Sequence, residues 1–365
     1  MLAIFLLVAL SFTSCTKDAP LLIGFLAGTS GRVADSGISA RDAAQLAVEQ
    51  CNQTGGILGR KVRLVIKDDQ QKPEIAQKCA QELIREGVVA VIGPMTSNIA
   101  KAIAPIANEA KVVFMSPTAT TELLSGRDDY FFRVASTSGL FAARSAHYLT
   151  QFDVMLRVAV AYDQDNASFS ENWVDNFRRS FSRKGGVVIS SVGFRAGDDR
   201  TFLDIARSLL TAEPDGIVIV ANSFDAALLC QQIRKIDSQM KIFLSDWSAT
   251  ERLLEMGGKA VEGVIVIQAF DRASQAPRYQ TFRRAYLSRF QREPGFPGVN
   301  TYDAIQVMLK ALRTTRIGQD LKDTILSLGR FQGLQCDFRF DRFGDVQKDL
   351  ASISIVKNGQ FVVLE

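Results

Sequence analysis

At 365 residues the chain exceeds the size at which one hydrophobic core keeps growing, so two domains or lobes are expected. Its 47% hydrophobic and 22% charged residues suit a soluble globular protein, and beyond the N-terminus no run approaches the roughly 18 apolar residues of a membrane span. A net charge of +4 without a basic run argues against nucleic-acid binding, and a single histidine, His147, argues against histidine-based metal sites and Ser-His-Asp catalysis.

Residues 1–10 read MLAIFLLVAL, an apolar run too short to cross a bilayer as a folded helix. Ser11, Phe12, Thr13 and Ser14 follow, and then Cys15. An apolar run ending in small residues reads as a secretory signal. Ending on cysteine, it resembles the bacterial lipoprotein signal, with Phe12 where leucine is usual. That resemblance implies a signal peptide over residues 1–14, lipidation of Cys15 and a polar tether over 15–20. The protein is then expected in the periplasm or at the cell surface, touching the membrane by its lipid anchor only.

From residue 21 short apolar runs alternate with amphipathic stretches. LLIGFLA (21–27) reads as a buried strand, residues 39–53 as a helix closed by Gly55 and Gly56, and 61–69 as an alternating strand. Residues 73–87 form a helix with proline near its start and glycine at its end; a strand (88–93), a helix (98–110) and a strand (112–117) continue the pattern. The pattern begins again with a strand at 157–162, a helix over 171–186 and a strand over 186–194. A helix at 201–213, a strand at 215–221, a helix at 223–236 and a strand at 240–245 complete it. Strand–helix repetition argues for mostly parallel sheets with helices on both faces, and two such units for two α/β lobes. Cys51, Cys79, Cys230 and Cys336 match no metal spacing and read as buried, unpaired thiols.

In open α/β sheets ligands sit beyond the carboxyl ends of the strands. Two such loops are rich in hydroxyls: Pro94-Met95-Thr96-Ser97-Asn98 and Ser116-Pro117-Thr118-Ala119-Thr120-Thr121. A helix N-terminus suits a carboxylate, and Ser97, Thr118 and Thr120 offer further donors, each charge-assisted bond contributing about 1.5–3 kcal/mol. The same hydroxyls read equally well as helix caps. Glycines after the first strand do not form G-x-G-x-x-G, which argues against a dinucleotide. Asp68, Asp69, Asp163 and Asp165 read as solvated loop acids, Tyr302 and Asp303 as structural, and His147 as a surface or hydrogen-bonded residue.

The stretches GGILGRKVRLVIKDDQ (55–70), VVAVIGPMTSNIAKAIAPIANE (88–109), VVFMSPTATTELL (112–124), YFFRVASTSG (130–139), NTYDAIQVMLKAL (300–312) and FRFDRFGDVQKDLASISIVKNGQFV (338–362) carry a family likeness. The chain resembles the periplasmic amino-acid-binding proteins of the leucine/isoleucine/valine type. The resemblance implies the type I periplasmic-binding-protein clamshell: α/β, two doubly wound parallel-sheet lobes joined by three crossovers, near Thr137–Ser138, Ile267–Gln268 and Leu334–Gln335. Lobe one is then residues 21–137 plus 268–334, and lobe two 138–267 plus 335–365.

For the site, the resemblance implies that Ser97 meets the ligand carboxylate, with Met95 and Thr96 beside it. Thr118, Ala119 and Thr120 would meet both carboxylate and ammonium. Phe169 would lie over the ligand, and Trp247 stands at or beside the family's acidic contact. Asp246, one residue out of register, is the counter-charge for an ammonium, and Ser223 lies in the corresponding loop. The implied function is the solute-binding component of an ABC importer: a monomer that hands an amino acid or amide to a membrane permease, with no cofactor, metal or catalytic residue. A sensory or regulatory lipoprotein of the same fold, such as a cell-wall-synthase activator, is the competing class. An amide- or urea-type ligand is expected if Asp246 turns away from the cleft.

Overall fold

The computed structural model describes residues 19–316 and 318–364, so the expected signal peptide and Cys15 lie outside the described residues. The chain opens with β1 (Leu21–Ala27), α1 (Ala34–Gln53), β2 (Val62–Asp68), α2 (Pro73–Arg85), β3 (Ala90–Ile92), α3 (Ser97–Ala110), β4 (Phe114–Ser116) and β5 (Phe131–Arg133). These strands form a parallel sheet in the order β2-β1-β3-β4-β5. A parallel sheet is covered on both faces, which is why β1, β3 and β4 are almost wholly apolar. Ile23 and Phe25 pack with α1 on one face, while Leu26 packs with α2 and α3 on the other.

The chain then passes to a second unit: α4 (Ser138–Gln151), β6 (Arg157–Asp163), α5 (Ala167–Ser182), β7 (Val187–Phe194), α6 (Phe202–Leu210), β8 (Gly216–Val220), α7 (Ser223–Ile236), β9 (Lys241–Leu244), α8 (Glu251–Gly257) and β10 (Ile265–Gln268). It returns through α9 (Pro277–Phe290), α10 (Gly295–Thr314) and α11 (Leu321–Ser327), of which α10 packs along α1. The strands β11 (Arg330–Gln332), β12 (Asp337–Phe340) and β13 (Val346–Gln347) form a small antiparallel sheet. Finally β14 (Ser352–Lys357) and β15 (Gln360–Val363) add antiparallel strands to the second sheet, ordered β15-β14-β10-β9-β8-β6-β7. Two doubly wound lobes result.

Several expectations need correction. The third crossing was expected near Leu334–Gln335, yet β12 pairs with β11, and Phe331 and Phe338 share the core of the first lobe. The chain joins the second sheet only at β14. Helix α1 begins five residues before the expected position 39, and its Gly37 lies so close to the first loop that a Cβ would stand 2.0 Å from the Gly28 carbonyl oxygen. Helix α5 likewise starts at Ala167, not 171. Asp69 and Asp163 are not solvated: both are buried, and burial pushes each carboxyl up to about 6. Cys51 and Cys230 are buried thiols, but Cys79 and Cys336 are only half-buried; all four are free.

Candidate functional site

The carboxyl ends of the first sheet's strands carry loops that run directly into helices. After β3, Gly93 has φ +121, and a Cβ there would stand 2.0 Å from the Leu26 carbonyl oxygen. Only glycine lets the chain turn so tightly against β1 and deliver Met95, Thr96 and Ser97 to the start of α3. After β4, Ser116 Oγ donates to the Pro94 carbonyl (2.6 Å) and accepts from Ala119 N (3.0 Å), which ties the two hydroxyl-rich loops together.

A narrow cleft, partly open to solvent, lies between the lobes. Met95, Thr96, Ser97 and Thr118 line it from the first lobe, facing Phe169, Asp246 and Trp247 of the second. The structure therefore brings seven of the expected residues to one cavity. Val33, Ser36, Gln71, Asn166 and Phe296 also line it, and sequence reasoning passed over them. Ala119, Thr120 and Ser223 stand outside the lining. Thr120 is buried, and its Oγ has no hydrogen-bond partner among the described residues. Ser223 is withdrawn because its hydroxyl donates to Asp35 Oδ2 at 2.9 Å.

The hydroxyls have distinct roles open to them. Thr118 Oγ lies 2.5 Å from the Met95 carbonyl, which can only accept, so the threonine proton is spent there and only acceptor capacity remains. Ser97 Oγ accepts from Thr121 N at 3.3 Å, which leaves its proton available for an anion. Thr96 occupies the N-cap position of α3 but makes no capping bond. Helix capping thus does not consume these side chains.

The opposite wall is apolar and carries one acid. Phe169 meets Trp247 edge to face, with ring centroids 5.4 Å apart and an interplanar angle of 78°. Asp246 opens a 3-10 turn after β9, and its Oδ1 accepts from Trp173 Nε1 at 3.2 Å. Burial pushes its carboxyl up to about 7, and the Trp173 hydrogen bond opposes that rise only in part. Asp246 is the sole ionisable residue of the lining.

Polar contacts surround the cleft and join the lobes. Asp35 Oδ2 accepts from Ser223 Oγ and, at 2.6 Å, from Thr250 Oγ; Arg32 pairs with the buried Asp225. Asn172 Oδ1 accepts from Glu122 N at 3.0 Å, and Asn176 Nδ2 donates to Glu122 Oε2 at 2.7 Å.

Known proteins share this architecture. The structure of a leucine-binding protein, LivK, from Thermotoga maritima superposes with a TM-score of 0.87 at 28% identity, over 94% of this chain and 98% of that one. The branched-chain amino-acid substrate-binding protein LivJ from Streptococcus pneumoniae, solved with isoleucine, gives a TM-score of 0.87 at 24% identity, covering 94% and 99%. Among sequence relatives, the Leu/Ile/Val-binding protein BraC3 of Rhizobium johnstonii is 24% identical over 85% of this chain and 83% of its own length. The model of the family described as periplasmic binding protein matches residues 20–360, nearly the whole described chain, and the protein belongs to that family.

Proposed function

We propose that this protein is the solute-binding component of an ABC importer, and that it closes its lobes around an α-amino acid without acting on it chemically. The observation that carries the reading is the pairing of unlike groups across one cleft. Ser97, with a hydroxyl proton to give, stands at the N-terminus of α3; Asp246, a buried acid without a counter-charge, faces it from the other lobe. An α-carboxylate suits the first and an α-ammonium the second. Thr118, with only acceptor capacity left, suits the ammonium as well.

Lobe one corresponds on this reading to residues 21–137 plus 269–348, lobe two to the remainder, and the closing motion is a hinge at the three passages between them. Cys15 carries the lipid that holds the monomer at the membrane beside its permease. Calorimetry against a panel of amino acids and short amides tests the ligand class: binding of amides with no binding of amino acids would sink the zwitterion reading. Labelled palmitate tests the anchor: equal incorporation into a Cys15→Ser variant would rule it out.

A further inference from the structure

The head of the ligand occupies only part of the cleft. The first sheet's order is β2-β1-β3-β4-β5, so the loops after β3 and β4, which carry Ser97 and Thr118, lie at one end of the lining. Val33 and Ser36 follow β1, the neighbour of β3, and Gln71 follows β2 beyond it. With strands about 4.8 Å apart, these loops lie one and two strand spacings from Ser97, about 5 and 10 Å away. That is the reach of an amino-acid side chain.

This second half of the cleft is not an aliphatic pocket. Ser36 and Thr96 line the cleft, and their hydroxyls bond no described residue and stay open to it rather than sealed inside the protein. Gln71 makes one long contact through Nε2 to Asp69 Oδ1 (3.5 Å), and its Oε1 has none. A polar group that loses water must find another partner, so an occupant that displaces water from these three side chains has to supply the bonds itself. The backbone points the same way. Gln70 and Gln71 are consecutive non-glycine residues in the left-handed region (φ 51 and 58), a costly conformation that clusters at ligand clamps.

The charge of the side chain follows from the lining. Asp246 is its only ionisable residue and is committed to the ammonium. Of the acids outside the lining, Asp163 accepts from Asp165 N and Asn222 Nδ2, Asp165 from Ala196 N, Asp225 pairs with Arg32, and Asp69 accepts from Gln71 N while its buried Oδ2 has no partner. Within the lining itself a charged side chain would thus meet no counter-ion of its own. A branched aliphatic side chain would displace water from three polar groups without replacing its bonds.

We propose that the ligand is an α-amino acid with an uncharged hydrogen-bonding side chain, an amide or a hydroxyl, read by Ser36, Thr96 and Gln71. The inference rests on the amino-acid reading of the cleft and narrows it.

The test is calorimetry on the wild-type protein, after removal of bound ligand, with asparagine, glutamine, serine and threonine against leucine, isoleucine and valine. The polar set should bind at least about tenfold tighter. In a Ser36→Ala/Gln71→Met double variant, close to the original in volume, the order should shift toward leucine by a further tenfold or more. Aliphatic ligands binding as tightly as polar ones to the wild type would overturn this inference and leave the amino-acid reading intact. Equal losses for both sets in a variant that melts like the wild type would overturn it too. Failure of every amino acid to bind would sink the amino-acid reading and this inference with it.

Discussion

Asn98 bonds Asn166 across the cleft: Asn166 Oδ1 accepts from Asn98 N at 3.0 Å, and two residues on from Asn166, Ser168 N donates to Asn98 Oδ1 at 2.8 Å. Each side chain thereby caps the first turn of the other lobe's helix, α3 or α5. Asn98 Nδ2 also donates to the Asp165 carbonyl at 2.6 Å. On the hinge reading proposed above these bonds break when the lobes part, so their free energy adds to that of ligand binding.

Asn98→Ala removes two of the three bonds. At about 0.5–1.5 kcal/mol each, the closed state should lose roughly 1–3 kcal/mol, and Kd should rise about tenfold, mainly through faster release. Stopped-flow dissociation together with small-angle scattering checks this. A variant that releases ligand at the wild-type rate would show that closure does not depend on these bonds.

How much of this was legible in the sequence depended on how locally each feature is determined. Strand β8, GIVIV, is apolar at every position and buried at every position, and a parallel central strand admits few other patterns. The hydroxyl loops were legible because helix starts after parallel strands face ligands whatever the rest of the chain does. The first turns of α1 were not. Asp35, Ser36 and Gly37 carry no apolar period, and the helix extends back to Ala34 because Gly37 meets the Gly28 carbonyl, a contact between segments nine residues apart. Ser36 and Gln71 went unnoticed for that reason. Ser223 was misplaced for a related one: its position at a strand's carboxyl end is local, but its partner Asp35 belongs to the other lobe.

Ser97→Ala should remove a donor from a desolvated carboxylate and leave the helix start otherwise intact, since Ser97 lies within α3 and makes no cap. The expected cost is about 1–3 kcal/mol, roughly 5- to 150-fold in Kd. Calorimetry at one pH measures it, and a Kd within twofold of wild type would remove Ser97 from the carboxylate site.

Arg133 supports the same site from behind. It is buried at the end of β5; its Nη1 donates to the Thr121 carbonyl at 2.5 Å, its Nε donates to Asp345 Oδ1 at 2.7 Å, and it also bonds Ser125. One side chain thus holds the loop after β4 against the β12–β13 segment. Arg133→Met should leave Asp345 half-paired and the Thr121 carbonyl open, at a cost of about 3 kcal/mol in unfolding free energy. Chemical denaturation reads the loss. An unchanged midpoint would mean that the loop is held by its other bonds.

Asp246 sets two pH dependences of opposite sign. An unfolded aspartate ionises near pH 4, whereas burial keeps the Asp246 carboxyl protonated up to about pH 7 in the closed, unliganded protein. Between those values the unfolded chain releases a proton that the folded one retains, so this residue's share of stability is fully present below about pH 4 and is lost as pH rises toward 7. Asp69, Asp163 and Asp303, each raised to about 6 by burial, act in the same direction over a slightly narrower window. Binding runs the other way. An ammonium ligand needs the ionised carboxylate, so affinity should fall about tenfold per pH unit below 7. Asp246→Asn should flatten the affinity profile at a weakly binding level, while part of the stability trend survives through the other three acids. Thermal melts without ligand and calorimetry with it, both from pH 5 to 8, separate the two. An affinity independent of pH in the wild type would take Asp246 out of ammonium recognition, whatever the melts show.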